Sequence, residues 1–184
     1  MNKLKELKLI KPKRFSDQRG FFEEIYSRDF YNSLGIEVDF VQDNHSLSFK
    51  TATIRGLHFQ LPPAAQAKLV RCNSGAIFDV AVDIRRRSPT YGQWAGYNLT
   101  AENGHQLYIP VGFAHGFMTL EPNSEIIYKC SDYYAPDSEG SIVWNDPEIG
   151  IEWPLSEKPI LSQKDNCAPS LKAFDTPFIY REAQ

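Results

Sequence analysis

The sequence predicts an all-β protein. Many short segments alternate apolar and polar residues with a period of two, and turns rich in Gly, Pro, Asn and Asp separate them. Few stretches show the spacing of an amphipathic helix. The 184 residues, 42% of them hydrophobic, suit one domain over 1–184 with a substantial core. We therefore expect a β-sandwich or barrel with a few short helices.

The predicted strands follow one another through most of the chain. Pro62 and Pro63 should end the third strand, because proline lacks the amide hydrogen that a sheet ladder uses. Gly75 should form the turn between the fourth and fifth strands, and PVGFAH (110–115) should turn tightly before the eighth. The predicted strands cover residues 7–10, 38–44, 53–59, 68–72, 76–84, 94–99, 106–109, 116–120 and 125–130, with a short apolar segment at 141–144.

Helix signals are few. Ser27 can cap a helix over 27–34 that Gly35 would end, and residues 170–174 could form a short final helix. A turn at 17–20 precedes aromatic residues, Phe21 and Phe22, that we expect to pack inward. The basic run at 85–87 is typical of a solvated loop.

Charge and cysteine content exclude several classes of protein. A net charge of −3 argues against a nucleic-acid partner, which would need a basic face. Three cysteines (Cys72, Cys130 and Cys167) without CxxC spacing favour free thiols in a reducing compartment over disulfides or structural zinc. The first residues contain no long apolar run, so we expect neither a signal peptide nor a membrane span, and a cytoplasmic location.

The stretch from 54 to 83 carries the strongest chemical signal. His58 lies three residues after Arg55 and ten before Lys68, among apolar strand residues. A base and two cations in a β-rich pocket would suit proton abstraction from a negatively charged substrate. However, a lone histidine in a strand is often a structural residue. Strand alternation also places Arg55 on the face opposite His58, unless a bulge at Gly56 re-aims them.

A metal site is the first alternative. The segment PVGFAH, ending at His115, matches half of the signature of metal-binding cupins, which are jelly-roll proteins. The other half normally supplies two further histidines and a glutamate, whereas HFQ here supplies only His58. Because a metal needs at least three suitable ligands, we predict a pocket without metal.

Three further polar residues have both a structural and a functional interpretation. Tyr128 could be a core tyrosine with its hydroxyl bonded, and Tyr134 could be part of a strand-end aromatic pair or a platform that stacks on a planar ring. Asp165 lies in a polar stretch, where a carboxylate is commonly solvated, and nothing in the sequence alone connects it to His58.

Taken together, several motifs resemble those of dTDP-4-dehydrorhamnose 3,5-epimerases. The resemblance covers most of the chain, in order. It implies a jelly-roll (cupin-like) fold without metal or cofactor, and a homodimer in which each pocket borrows residues from the partner chain. The motifs are DQRGFFEE (17–24), FVQDNHS (40–46), IRGLHFQLPP (54–63), AKLVRCNSGAIFDVAVDIRRRSPTYGQW (67–94), QLYIPVGFAHGF (106–117), YKCSDYYAPDSEG (128–140) and WNDPEIGIEWP (144–154).

The resemblance also implies an activity and roles for residues. The substrate would be dTDP-4-dehydro-6-deoxy-D-glucose, inverted at C3 and C5 through an enolate to dTDP-4-dehydro-L-rhamnose. His58 would be the base, Asp165 would orient it, Tyr128 would be the acid and Lys68 would stabilise the enolate oxygen. Tyr134 would stack on thymine, and the substrate-binding set would be Arg19, Glu24, Gln42, Asn44, Arg55, His115, Tyr134, Glu139 and Lys164.

Other functions remain open at the level of sequence. Relatives that act at C3 only or at C5 only share the same base and acid, so these residues do not distinguish a double from a single epimerase. A metal-dependent cupin, a sugar-nucleotide binding protein without catalysis, and a 3,4-ketoisomerase are the further alternatives.

Overall fold

Short strands dominate the computed structural model, which describes residues 4–182. The helices are α1 (Arg28–Ser33) and α2 (Gln163–Asn166), with 3₁₀ turns at Pro136–Ser138 and Leu171–Ala173. The strands are β1 (Lys8–Ile10), β2 (Arg14–Asp17), β3 (Gly20–Glu23), β4 (Gln42–Ser48), β5 (Ile54–Gln60), β6 (Lys68–Ser74), β7 (Ala76–Asp83), β8 (Trp94–Thr100), β9 (Gln106–Ile109), β10 (Phe113–Thr119), β11 (Ser124–Cys130) and β12 (Glu139–Ser141).

Two five-stranded antiparallel sheets form the body of the protein. Their strand orders are β1-β9-β6-β11-β4 and β12-β5-β10-β7-β8. The strands β2 and β3 pair only with each other, as a separate hairpin. The all-β sandwich that the sequence predicts is therefore confirmed.

Alternation along the strands fills the space between the sheets. On β7, Ile77 and Ala81 point into this space, while Val80 and Val82 point to the other face. Leu107 of β9 and Ile126 of β11 meet the inward set from the first sheet. The core is therefore built from alternate residues of opposing sheets, as a sandwich requires.

The two outer faces are covered differently. The second sheet is covered by the late segment of the chain, from which Ile142, Trp153 and Phe178 pack on β5 and β7. The first sheet is covered in part by α1, whose Tyr31 is buried against it. This late cover also brings α2 to β5, which matters for the site.

Several strand boundaries differ from the prediction, because hydrogen bonding to the neighbouring strand determines where each strand begins and ends. The predicted strand at 38–44 begins later, since β4 pairs along the length of β11, from Gln42 opposite Cys130 to Ser48 opposite Ser124. The strand β10 begins at Phe113, inside the predicted PVGFAH turn.

Two predictions about side chains were wrong. Phe21 and Phe22 are 56% and 70% exposed, because the hairpin that carries them stands outside both sheets. The solvated loop predicted at 85–87 was wrong only at Arg85, whose guanidinium pairs with the buried Asp83 at 2.8 Å, because Arg86 and Arg87 are exposed. Ser27 does precede α1, but its side chain makes no capping hydrogen bond with any residue in the described chain.

Candidate active site

One polar cleft lies between the two sheets. It consists of two adjoining cavities of about 390 and 320 Å³ that share His58, Lys68 and Tyr128 in their linings. Cavities of several hundred Å³ are typical of small-molecule sites. His58 stands on β5 of the second sheet, whereas Lys68 and Tyr128 stand on β6 and β11 of the first. Residues from opposite walls therefore face the same space.

A bulge in β5 brings Arg55 to the same side as His58. His58 lies opposite His115 on β10, but Arg55 lies opposite Phe117, so three steps along β5 match two along β10. The extra residue reverses the alternation over this stretch. Both side chains consequently line the first cavity. This is the rearrangement at Gly56 that the sequence allowed but could not establish.

His58 is bonded to a carboxylate that is distant in sequence. Its Nε2 lies 2.5 Å from Oδ1 of Asp165, which α2 presents to β5. Ser162 caps α2 by accepting a hydrogen bond from the N–H of Asp165, and this holds the carboxylate in place. Asp165 is 3% exposed and is therefore not the solvated charge that its polar neighbours suggested.

The protonation of this pair follows from its surroundings. Burial disfavours the charged form of Asp165, but hydrogen bonds from His58, Ser162 and the backbone of Gly56 outweigh it and lower the pKa of the carboxyl group. An ionised carboxylate only accepts hydrogen bonds. In the neutral imidazole, Nε2 of His58 must therefore carry the hydrogen, and Nδ1 then has the free lone pair.

Tyr128 and Lys68 lie beside each other on the opposite wall. Nζ of Lys68 is 5.9 Å from the centroid of the Tyr128 ring. Burial raises the pKa of Tyr128, as does the neighbouring Cys130, while Arg55 opposes the rise. Burial lowers the pKa of Lys68, although Cys130, Asp79 and Glu139 oppose this shift. The phenol is thus protonated at neutral pH, and the lysine is more easily deprotonated than a free lysine.

His115 is buried at the back of the cleft. Its Nε2 lies 2.8 Å from Oδ1 of the fully buried Asp79. Burial lowers the pKa of His115, and the electrostatic influence of the neighbouring Lys68 and His58 side chains acts in the same direction, against the attraction of Asp79. His115 is therefore a neutral hydrogen-bonding group.

Most of the residues predicted for the site meet in this cleft. Two of these residues, Lys164 and Glu139, form an ion pair in which Nζ lies 2.5 Å from Oε1. The first cavity is lined by Arg55, His58, Lys68, His115, Tyr128, Lys164 and Asp165, and the second adds Gln42, Asn44, Tyr134 and Glu139.

Two predicted residues do not reach the cleft of their own chain. Arg19 lies at the tip of the β2–β3 hairpin and pairs with Asp17. Glu24 follows the same hairpin and is exposed. Among the described residues that line the two cavities, none comes from this hairpin.

Sequence reasoning did not identify Asp79 or Gln60. Asp79 interrupts the apolar strand AIFDVAVD, and a buried charge in such a strand calls for a partner. The sequence therefore indicated that Asp79 needs a partner, but it did not indicate that His115 is that partner. Gln60 lines the second cavity and offered no signal of its own in the sequence.

The described side chains do not form a recognisable metal centre. Within residues 4–182, no three His, Cys, Asp or Glu side chains are grouped so as to hold a metal ion. Neither α-helix in that range has the length and apolar character needed to cross a membrane.

The cleft and the sandwich around it define a class of protein. They describe a cupin-like β-sandwich in which a strand histidine, paired with a carboxylate from a short helix, faces a protonated phenol.

Comparison with known proteins specifies the family. The family model described as dTDP-4-dehydrorhamnose 3,5-epimerase matches residues 1–173. A protein of that name from Salmonella typhimurium strain LT2 is 59% identical over 164 residues, or 89% of each chain. The chain therefore belongs to the dTDP-4-dehydrorhamnose 3,5-epimerase family of sugar-nucleotide isomerases, as the motifs predicted.

Solved structures agree in fold. The dTDP-6-deoxy-D-glucose-3,5-epimerase of Legionella pneumophila, in complex with dTDP-4-keto-L-rhamnose, aligns with a TM-score of 0.94 at 47% identity and covers 98% of this chain and 97% of its own. ChmJ, a 3'-monoepimerase from Streptomyces bikiniensis in complex with dTDP-quinovose, aligns at 0.83 with 35% identity over 90% and 84% of the two chains. The predicted cupin-like fold is confirmed.

Proposed function

We propose that this protein inverts C3 and C5 of dTDP-4-dehydro-6-deoxy-D-glucose to form dTDP-4-dehydro-L-rhamnose. The observation that carries the proposal is the His58–Asp165 pair at 2.5 Å on one wall of the cleft, with Tyr128 and Lys68 on the other. Relatives at 50–59% identity bear the name of this activity. A base and an acid on opposite walls are what an inversion needs, because the proton leaves one face of the sugar and returns to the other.

Proton removal is assigned to His58. Its Nδ1 lone pair takes a hydrogen from C3 or C5, both next to the C4 ketone, and the electrons of the broken C–H bond move to the carbonyl oxygen. Asp165 accepts the Nε2 hydrogen and stabilises the imidazolium that forms. Asp165 thereby holds the imidazole of His58 in one tautomer before the reaction, and its negative charge stabilises the positive charge of the imidazolium during the reaction.

Lys68 and Tyr128 complete the inversion. The ammonium group of Lys68 stabilises the negative oxygen of the enolate, an effect worth about 3 kcal/mol for a preorganised donor. Tyr128 then donates its phenolic hydrogen to the carbon from the opposite face. Its raised pKa keeps it protonated until that step. Solvent exchange afterwards returns a proton to the phenolate and removes one from the imidazolium.

The nucleotide is assigned to the second cavity together with the adjoining part of the first, which Arg55 and Lys164 line. Arg55 and Lys164 suit the diphosphate, since a guanidinium can bind two oxygens of a phosphate at once. Tyr134, which is exposed and lines the second cavity, would stack on thymine. Gln42, Asn44 and Glu139 supply polar contacts to the same part of the substrate.

We also propose a homodimer that shares its sites. Phe15, Phe21 and Phe22 of the hairpin are 52%, 56% and 70% exposed, and such an apolar surface is typical of an interface. Arg19 and Glu24 lie on this hairpin, outside the cleft of their own chain. In a dimer, they would enter the cleft of the partner.

A single epimerisation is the second candidate. ChmJ, which is named a 3'-monoepimerase, is 35% identical to this chain and aligns with it at a TM-score of 0.83. A protein with a closely similar fold can therefore invert a single carbon. The two functions differ in the number of positions at which hydrogen is lost.

Proton NMR in deuterated water with the dTDP-4-keto sugar tests both candidates. The double epimerase replaces hydrogen by deuterium at C3 and at C5, with inversion at each, whereas a monoepimerase inverts one position. The His58→Asn variant lacks the base, so exchange should fall by about a thousandfold. Exchange at the wild-type rate in His58→Asn would exclude His58 as the base.

A further inference from the structure

Gln60 is a buried side chain in the cleft whose purpose the mechanism does not explain. It lies on β5 two residues after His58, is 5% exposed and lines the second cavity. A buried amide needs partners at both its donor and its acceptor end. Both ends of Gln60 are bonded to backbone groups outside the sheets.

The amide of Gln60 holds the backbone on both sides of Tyr134. Nε2 donates to the carbonyl oxygen of Tyr133 at 3.1 Å, and Oε1 accepts from the N–H of Ala135 at 2.9 Å. Nε2 also donates to the carbonyl oxygen of Ala64 at 2.6 Å, which ties this loop to the turn after β5. One side chain therefore links three backbone positions.

A third polar group of this backbone is also held by a side chain. The N–H of Tyr134 donates to Oε1 of Gln42 on β4 at 2.9 Å. Tyr134 itself lies outside the strands and helices. The loop at Tyr134 thus depends on side chains from both sheets rather than on a sheet ladder.

This loop presents an exposed ring. The side chain of Tyr134 is 57% exposed, and its hydroxyl lies 3.4 Å from Oε2 of Glu139. A ring that is ordered only on binding weakens affinity, because the ordering free energy is subtracted from the stacking energy. A fixed backbone before binding avoids that loss.

We propose that Gln60 is a positioning residue, which fixes the peptide groups on both sides of Tyr134 so that the ring is preorganised to stack on the base of the nucleotide. This inference rests on the proposed function, in which Tyr134 contacts thymine. Gln60 shares no hydrogen bond with His58 or Asp165 in the described structure. Its loss should therefore affect nucleotide binding rather than proton transfer.

The test compares Gln60→Met with Tyr134→Ala and with the double variant. Methionine keeps the length of the side chain but has no amide. Calorimetry should show dTDP binding to Gln60→Met about tenfold more weakly, while inorganic pyrophosphate, which has no base, binds as to the wild type. In kinetics, KM for the sugar nucleotide should rise and kcat should stay within about twofold.

The double variant identifies the route of the effect. If Gln60 acts through Tyr134, adding Gln60→Met to Tyr134→Ala should weaken dTDP binding no further, since coupled residues are not additive. Gln93→Met is the control, because Gln93 is also a glutamine bonded to a backbone carbonyl, that of Pro89, but lies outside the cleft. This control should bind dTDP normally.

The outcomes are distinct. If Gln60→Met binds dTDP like the wild type, weakens pyrophosphate equally, or adds in full to Tyr134→Ala, the role of Gln60 is overturned while the proposed function stands. If Tyr134→Ala itself binds dTDP normally, the stacking assignment fails and the inference with it. Should Gln60→Met not fold, hydrogen exchange in the wild type decides: the amide of Ala135, which donates to Gln60, should be protected, and its fast exchange overturns the proposal.

Discussion

Single residues in this cleft obtain their protonation states from specific neighbours. Asp165 is ionised although it is buried, because His58 and Ser162 bond to it, and this leaves one ring nitrogen of His58 free. Lys68 and Tyr128 are both partly buried, and desolvation shifts their pKa values in opposite directions. Two predictions follow at this scale, one for each of these groups.

The first concerns the alkaline limb of the pH profile. Burial lowers the pKa of Lys68 below the ordinary lysine value of 10.5, and only the charged form stabilises an enolate. Activity should therefore be lost as pH rises through a value below 10.5. In Lys68→Arg, the cation stays charged at higher pH. The alkaline limb of the profile of kcat/KM against pH should therefore move to higher pH, and the maximal kcat/KM should be lower than in the wild type. An unmoved limb would assign it to another group.

The second concerns Tyr128. In Tyr128→Phe, His58 can still remove a proton, exchange it with solvent and return it to the same face. NMR in deuterated water should show exchange continuing while inversion falls by about a hundredfold or more. Wild-type inversion, or equal slowing of both, would mean that the tyrosine is structural.

At the scale of elements, irregular pieces of the sandwich define the site. The β5 bulge places Arg55 beside His58, α2 carries Asp165 to them, and the hairpin projects Arg19 away from its own cleft. The strand pattern predicted the regular elements nearly in place, because alternation and turn residues are local signals. It could not predict these irregular pieces, because partner strands and packing determine them.

Gly56→Ala should disrupt the bulge. A Cβ at Gly56 would lie 2.5 Å from Cα of Gly116 and 2.8 Å from the carbonyl oxygen of His115, at a φ of +131°. Gly20→Ala is a matched control, with a φ of +130° and nothing within 4 Å of its Cβ. Urea unfolding at one protein concentration should show a loss of about 3 kcal/mol or more for Gly56→Ala and about 1 kcal/mol for Gly20→Ala. Equal losses would show that backbone strain alone is responsible.

Subunit mixing tests the hairpin. Arg19→Ala and His58→Asn proteins should each be weakly active at low substrate concentration. After denaturation and joint refolding, half of the dimers are mixed, and one pocket in each combines an intact His58 with an intact Arg19. About a quarter of the wild-type activity should therefore return. If each cleft uses its own hairpin, the mixture will be no more active than its components.

At the scale of the whole molecule, polar groups lie inside a sandwich that is otherwise apolar between its sheets. Leu107 and Ile126 pack in the same layer as His115 and Asp79. Charged forms are costly in such a layer, so stability depends on pH.

His115 should dominate that dependence at mildly acidic pH. Its pKa is lowered from 6.5 in the folded state, so the unfolded chain binds the proton more readily, and stability is lost as pH falls below 6.5. Asp165 contributes in the same direction only nearer 3.8. Urea unfolding between pH 7.5 and 4.5 should show a fall of up to about 1.4 kcal/mol per pH unit from this residue. His115→Gln keeps a donor for Asp79 and should flatten the curve; an unchanged slope would contradict the assignment.

By itself, the sequence determined the all-β class, the order of most strands, the family and most of the predicted residues that line the cleft. Local alternation and motif residues carry that information, and they do not depend on distant contacts. Only the tertiary structure decided that Asp165 meets His58, that Asp79 bonds to His115, that Arg55 turns to the same side as His58, and that the hairpin phenylalanines face solvent. The physical reason is that each of these depends on sheet pairing or on the packing of the late segment over β5, which bring together residues far apart in the chain.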